Sequence, residues 1–245
     1  MLFVLLAVFG GVIAGLGGPG GFPVILGLQS LTDLSASVQA GTTSAIFAAA
    51  TITATALYAY SGDVRKYLVY YMAVPTLFGT PTGVYLNQFL DKSVLGNIIG
   101  FLTVLLGAVL VYRETNNIKP VTEIQTEKNR GKLILALVGF GVGVLGGLTG
   151  IGGPAITIPL LIALGIPVLE AIGAGLVQGI LVTSSSAINY ATSGNYAPEY
   201  VISIGVPYIC SQIIGWYIAQ NTEANKLKIL VSLFLIPAGI YLLIF

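Results

Sequence analysis

The sequence predicts an all-α integral membrane protein built from two inverted repeats, each a Gly-broken helical hairpin followed by three transmembrane helices. Three observations predict it. First, the 245 residues are 56% hydrophobic and only 8% charged, against roughly 25% charge in soluble domains. In water such a chain would expose apolar patches large enough to aggregate. Second, the ten basic and nine acidic residues gather in short segments that separate long apolar stretches. Third, the chain matches itself at a shift of 132 residues.

The elements follow in order from these boundaries. A first helix over 2–17 is uninterrupted and apolar until Gly17-Gly18-Pro19. Its start resembles a signal-peptide core, but it has no preceding basic segment and it recurs in the repeat. A short helix over 22–31 ends at Thr32-Asp33, a long one over 35–60 ends at Ser61-Gly62-Asp63, and helices over 67–89 and 93–112 lie between Lys66, Asp91-Lys92 and Arg113. The second half repeats this plan. Helix 133–149 runs from Lys132 to a second Gly-rich turn, and a short helix over 154–165 starts at a proline. Helix 168–193 carries Glu170 in its first turn, and helices over 199–220 and 226–245 complete the half.

The repeat places Gly15-Leu16-Gly17-Gly18-Pro19-Gly20-Gly21 over Gly147-Leu148-Thr149-Gly150-Ile151-Gly152-Gly153. Ser61-Gly62-Asp63 falls over Ser193-Gly194-Asn195, and Val74-Pro75 over Val206-Pro207. Letter matching requires a two-residue slip to set Ala40-Gly41 against Ala174-Gly175. The expected organisation is a first transmembrane repeat over 1–113, a linker over 114–132 and a second repeat over 133–245.

Loop charge gives the orientation. If each Gly-rich segment is a hairpin that returns to its own side, the halves are inverted and nine of the ten Lys and Arg residues share one side, with Lys92 alone opposite. A single broken crossing would leave Lys226 and Lys228 outside as well. The positive-inside rule favours the hairpin, with the linker cytoplasmic, both termini external and the chain multi-pass in the plasma membrane.

Composition also excludes chemistry. With no His, His-based catalysis and His metal ligation are absent, and Cys210 alone cannot make an intramolecular disulfide. A net charge of +1 does not suit a nucleic-acid partner. No charge falls in the middle of an apolar stretch, so the centres of the spans hold no acid or lysine to relay protons. The expectation is a non-enzyme without metal or cofactor, whose partners are the lipid bilayer and a small anionic substrate. A homodimer stays open.

Irregular backbone at membrane depth is tolerated only where it is buried in protein or lines a cavity. Both Gly-rich turns leave N–H groups free and start a helix whose positive dipole end favours an anion. The expected substrate site is therefore Gly18, Gly20 and Gly21 facing Gly150, Gly152 and Gly153. Thr42, Thr43, Ser44 and Gln178 are added because they follow Ala-Gly pairs near the start of the next helix. Hydroxyls lower in rank include Thr51, Thr55, Thr183 and Ser186, which can equally bond local carbonyls. Gly11 with Gly15, and Gly139, Gly143 and Gly147, are expected to be helix-packing residues. Tyr58, Tyr60, Tyr190, Tyr196, Tyr200 and Trp216 read as an interfacial belt, and Cys210 as a small apolar packing residue.

These motifs, in this order and in two halves, resemble the sulfite exporter TauE/SafE family of membrane permeases. The matching stretches are Gly15–Pro23 with Ala40-Gly41-Thr42-Thr43-Ser44, and Gly147–Pro159 with Ala174-Gly175. The resemblance covers nearly the whole chain and implies movement, often outward, of small sulfur-containing anions such as sulfite and organosulfonates. The chain departs from the family pattern at Phe22 and Pro154, where a third glycine is usual, and at Leu176-Val177, which stand where the Thr-Ser pair would recur. An anion channel lined by the same helix ends, or a membrane scaffold, are the rival readings.

Overall fold

The computed structural model describes residues 2–34, 36–87, 128–149 and 153–223, with scattered residues of 101–112 and 226–240. The described residues contain no strand. Their helices are α1 (Leu2–Gly15), α2 (Gly21–Leu31), α3 (Ala36–Tyr60), α4 (Lys66–Asn87), α5 (Asn129–Thr149), α6 (Pro154–Ala163), α7 (Val168–Thr192) and α8 (Pro198–Gln220). The expected helices over 93–112 and 226–245 fall mostly outside the described residues. α5 begins at Asn129, so its first turn takes up the end of the segment assigned to the linker.

Four helical stretches, Gly41–Tyr60, Asn129–Gly147, Val168–Thr192 and Pro198–Gln220, are long and apolar enough to cross a membrane. Large apolar side chains face outward, among them Phe78, Leu137, Ile202 and Tyr217. That is the pattern of a helix bundle solvated by lipid. α2 and α6 have 11 and 10 residues, a length of about 15–17 Å at 1.5 Å per residue. Each thus spans about half of a hydrocarbon core.

α1 stops because Gly17 takes a left-handed φ of +83°. Gly17 N donates to Ala14 O (3.0 Å) and Gly18 N to Ile13 O (2.9 Å), the Schellman arrangement that satisfies the last carbonyls of a helix. The same arrangement ends α3 at Gly62 and α7 at Gly194, where Asp63 N bonds Tyr58 O and Asn195 N bonds Tyr190 O. These are the Ser-Gly-Asp and Ser-Gly-Asn turns of the repeat. α2 then folds back along α1, since Gly20 lies against Gly10 and Ala14, and Gly27 against Leu6 and Phe3. α6 folds back along α5 in the same way, with Gly153 beside Gly146 and Ile156 packed on Val142.

The two halves interleave. α1 runs parallel to α8, with Gly11 on Tyr208 and Ser211, and Gly15 on Gln212 and Gly215. α4 runs parallel to α5, with Gly139 on Met72 and Gly143 on Thr76 and Gly79. Glycine at these crossings brings backbone onto backbone, the close approach that membrane helices use in place of a hydrophobic driving force. α3 and α7 cross antiparallel. Gly41 lies against Asn195 at one end, Thr51 meets Thr183 in the middle, and Gly173 lies against Asp63 at the other end.

These contacts correct the alignment of the halves. Gly41 and Gly173 make equivalent contacts, to Asn195 O and Asp63 O, and are 132 residues apart. The offset of 132 therefore runs unbroken through α3 and α7, and the two-residue slip is not needed. The counterpart of Thr42-Thr43-Ser44 is Ala174-Gly175-Leu176.

One end of the bundle is polar and tied across the halves. Arg65 bridges Glu170 at 2.9 Å, Gln220 Nε2 donates to Asp63 Oδ2 at 2.6 Å, and Trp216 Nε1 donates to Ser61 Oγ at 3.2 Å. Among the described residues every cation (Arg65, Lys66, Lys128, Arg130, Lys132 and Lys226) lies at this end. Lys132 sits over the Tyr71 ring, and Leu227 packs with Leu68, Leu135 and Ala219. Asp33 and Glu199 lie at the opposite end. The Arg65 side chain is 54% exposed. Arg65→Ala is therefore expected to lower stability by less than about 1 kcal/mol in a thermal-unfolding measurement.

Two side-chain expectations are corrected. Tyr58 is fully buried, not interfacial, and its hydroxyl donates to Gly15 O at 2.8 Å. It joins the end of α3 to the end of α1. Cys210 is exposed on α8 rather than packed inside.

Candidate functional site

The antiparallel crossing of α3 and α7 leaves a central cavity of about 50 Å³, room for a few waters or one small polyatomic ion. Its wall comes from both halves. The first hairpin supplies Ala14, Gly18, Pro19, Gly20 and Gly21, and the second hairpin supplies Pro154, Ala155 and Ile158. α3 gives Phe47, Ala50 and Thr51, α7 gives Leu176 and Thr183, and α8 gives Tyr208 and Gln212. Among the described residues no Asp, Glu, Lys or Arg lines it.

The first turns of α2 and α6 therefore open on the same space. This follows from local structure. Gly20 caps α2 and Gly153 caps α6, each without a side-chain cap bond. Pro154 at the first position of α6 has no N–H to leave unpaired. Ile156 N and Thr157 N return to Gly153 O, and Phe22 N to Pro19 O. The N–H groups of Gly21 and Ala155 donate to no described group. Two helix N-termini thus meet at one small cavity, and the positive end of a helix favours an anion.

Thr51 and Thr183, the same position in the two halves, approach to 3.2 Å across the cavity. Thr51 donates to Phe47 O and Thr183 to Gly179 O, both at 2.7 Å. The two hydroxyls are also hydrogen-bonded to each other, with either one able to donate, so the pair offers the cavity both a donor and an acceptor.

The expected site residues divide into three groups. Gly18, Gly20 and Gly21 are brought to the cavity, and Gly153 caps the helix whose Pro154 lines it. Gly150 and Gly152 lie outside the described residues. Thr42, Thr43, Ser44 and Gln178 are buried but do not reach the cavity wall. Thr42 accepts from Ala197 N at 3.0 Å and donates to Val38 O, joining α3 to the start of α8. Thr43 donates to Gln39 O, and Ser44 Oγ is buried without a partner.

Gln178 ties four helices together. Its Oε1 accepts from Thr157 Oγ1, and its Nε2 donates to Thr76 Oγ1 (2.9 Å) and Gly139 O (3.2 Å). Replacing it with leucine should lower thermal stability by about 2 kcal/mol through the loss of these buried bonds. The unfolding midpoint of the purified variant measures this.

Sequence reading placed Thr51 and Thr183 among lower-ranked candidates and did not select Tyr208 or Gln212. Thr51 and Thr183 could have been found from their separation, which equals the repeat offset. Tyr208 and Gln212 carry no such mark, because they reach the site only through the pairing of α8 with α1 from the other half.

The comparisons agree with this architecture. The family described as sulfite exporter TauE/SafE matches residues 1–110 and 62–242. A probable membrane transporter protein, ORF9, from Sinorhizobium sp is 26% identical over 107 residues, 44% of this chain and 41% of that relative. The chain aligns with less than half the length of this curated relative. No solved structure matches. The apolar interleaved helices and a family match over nearly the whole chain place this multi-pass membrane protein in the sulfite exporter TauE/SafE family of permeases.

Proposed function

We propose that the protein is a secondary transporter that exports small sulfur-containing anions such as sulfite or organosulfonates. The observation that carries this is the convergence of two half-length helices, one from each half, on one uncharged central cavity. The positive ends of the two helices suit an oxyanion, and the family's description supplies the sulfur chemistry. We further propose that Gly18, Gly20, Gly21 and Ala155 hold the substrate, with Gly150, Gly152 and Gly153 shaping the second turn. Thr42, Thr43, Ser44 and Gln178 position the helices around it.

Inverted repeats and alternating access belong to the same proposal. The antiparallel crossing of α3 and α7 supports a pseudo-two-fold axis lying in the membrane plane, as inverted repeats require. The gathering of described cations at one end supports that end as cytoplasmic. Rocking of one hairpin against the other would then expose the cavity to each side in turn.

Topology is tested by cysteine labelling in a Cys210→Ala background. Lys66→Cys and Lys226→Cys should label from the cytoplasmic side and Asp33→Cys from outside. Labelling of Lys66→Cys and Lys226→Cys from opposite sides by an impermeant reagent would reject the inverted arrangement. Transport is tested by flux in liposomes with sulfite, sulfate, taurine, sulfoacetate and a carboxylate control, in both directions and with an imposed pH gradient. Saturable sulfite movement supports the reading. Non-saturating conductance would replace it with a channel, and absence of flux for every anion would reject it.

A further inference from the structure

One polar side chain in the cavity wall is unexplained by packing. Gln212 is 2% exposed, and its Oε1 is buried with no hydrogen-bond partner. Its amide donates to and accepts from no described group. A buried amide left unpaired is costly, and one that faces a cavity calls for a partner within it, a water or a bound ion. The contrast with Gln178 is direct, because that amide is satisfied at both ends by protein groups. Gln212 also has no counterpart in the first half. The position 132 residues earlier is Thr80, whose hydroxyl is bonded to Thr76 O.

A primary amide offers both a donor and an acceptor. An oxyanion without hydrogen can use only the donor. It would leave the Gln212 acceptor unpaired and set it against a negative charge. An oxyanion that carries its own O–H can use both. Its oxo atoms accept from the Gln212 amide and from the helix N–H groups, while its hydroxyl donates to Gln212 Oε1 or to a threonine oxygen. The pairing is bidentate whichever way the amide is turned.

We infer that Gln212 is the specificity-determining residue of the cavity and that the cargo crosses as a monoprotonated oxyanion, hydrogensulfite rather than its dianion or a sulfonate. This rests on the transporter reading above. It also accounts for the proton, because among the described residues the cavity wall, drawn from α1, α2, α3, α6, α7 and α8, holds no titratable side chain but Tyr208. The proton travels on the cargo, and each O–H that enters is carried through unchanged.

The test compares hydrogensulfite with methanesulfonate, which has the same charge and a similar shape but no O–H. Wild-type protein in liposomes holding a pH dye should move sulfite at least about tenfold faster than methanesulfonate, the size of effect expected when a buried acceptor is left unpaired. The lumen should acidify as sulfite enters. Gln212→Leu should reduce this preference to near unity while methanesulfonate flux persists. Equal wild-type rates for the two anions, or sulfite entry without lumen acidification, would overturn the inference and leave the transporter reading intact. Absence of flux for both anions would overturn the transporter reading itself. The wild-type ratio and the dye signal decide the matter even if the leucine variant does not fold.

Discussion

Replacing Gly15 with leucine is expected to abolish stable folding. A Cβ at this position would overlap the backbone of α8 at Gln212 O and Gly215 Cα. Neither obstacle is the end of a flexible side chain, so the helices themselves must separate. Overpacking in a core commonly costs about 1–3 kcal/mol. Here the displaced groups are backbone along a whole crossing, so the upper end or more is expected. The partner change Gly215→Leu should behave alike, because its Cβ would meet Val12 O and Gly15 Cα. Gly141 on α5 provides the control, since a Cβ there meets nothing within 4 Å. Gly141→Ala should be neutral or raise stability by up to about 1 kcal/mol through helix propensity. Thermal unfolding of the three purified variants in detergent measures the contrast. Near-equal midpoints for Gly15→Leu and Gly141→Ala would refute the close α1–α8 crossing.

Thr183→Leu is expected to remove transport without removing the fold. Thr183 is 2% exposed and lines the cavity, and its hydroxyl bonds its own helix at Gly179 O. Losing that bond and the 3.2 Å hydrogen bond with Thr51 leaves the backbone bonds of the helix in place, while the added bulk occupies space the cargo needs. An overlap of about 1–3 kcal/mol with the bound anion corresponds to a loss of about 5- to 150-fold in affinity. Thr51→Leu should act in the same way from the α3 side of the cavity. Flux and binding of sulfite, measured beside an unchanged unfolding midpoint, check this. Retained affinity in both variants would place the substrate elsewhere.

The fold was legible where physics acts locally. Gly17-Gly18-Pro19 marks the end of α1 because only a left-handed residue closes that helix cap, and the observed end at Gly15 lies within two residues of the expected one. The full-length helix through Pro75 and Pro81 was legible from its apolar length, and α4 indeed continues through both prolines. What the letters misplaced was register. Ala40-Gly41 looks most like Ala174-Gly175, but a glycine is needed where another backbone approaches. Asn195 O and Asp63 O select Gly41 and Gly173.

The site was legible in part for the same reason. The glycine turns announce free N–H groups, and the cavity forms beside Gly18, Gly20 and Gly21. Thr42, Thr43 and Ser44 were drawn in by their nearness to a helix start, yet about two turns of α3 separate Ser44 from Thr51, the hydroxyl that reaches the cavity. Gln212 was invisible because its place depends on α8 packing against α1 across the halves, a long-range contact with no local signature. Tyr58 misled because a tyrosine near a helix end usually marks the interface. Here its hydroxyl has a buried partner in the last turn of α1.

The central claim is that one small oxyanion binds between the first turns of α2 and α6. A structure determined with selenite, an anomalously scattering analogue of sulfite, tests it most directly. The account predicts a single strong peak inside the cavity, within hydrogen-bond reach of Gly21 N, Ala155 N and the Gln212 amide, and its loss in Thr183→Leu. Selenite found only at the polar end beside Arg65 and Lys66, with the cavity empty while sulfite flux is intact, would contradict it.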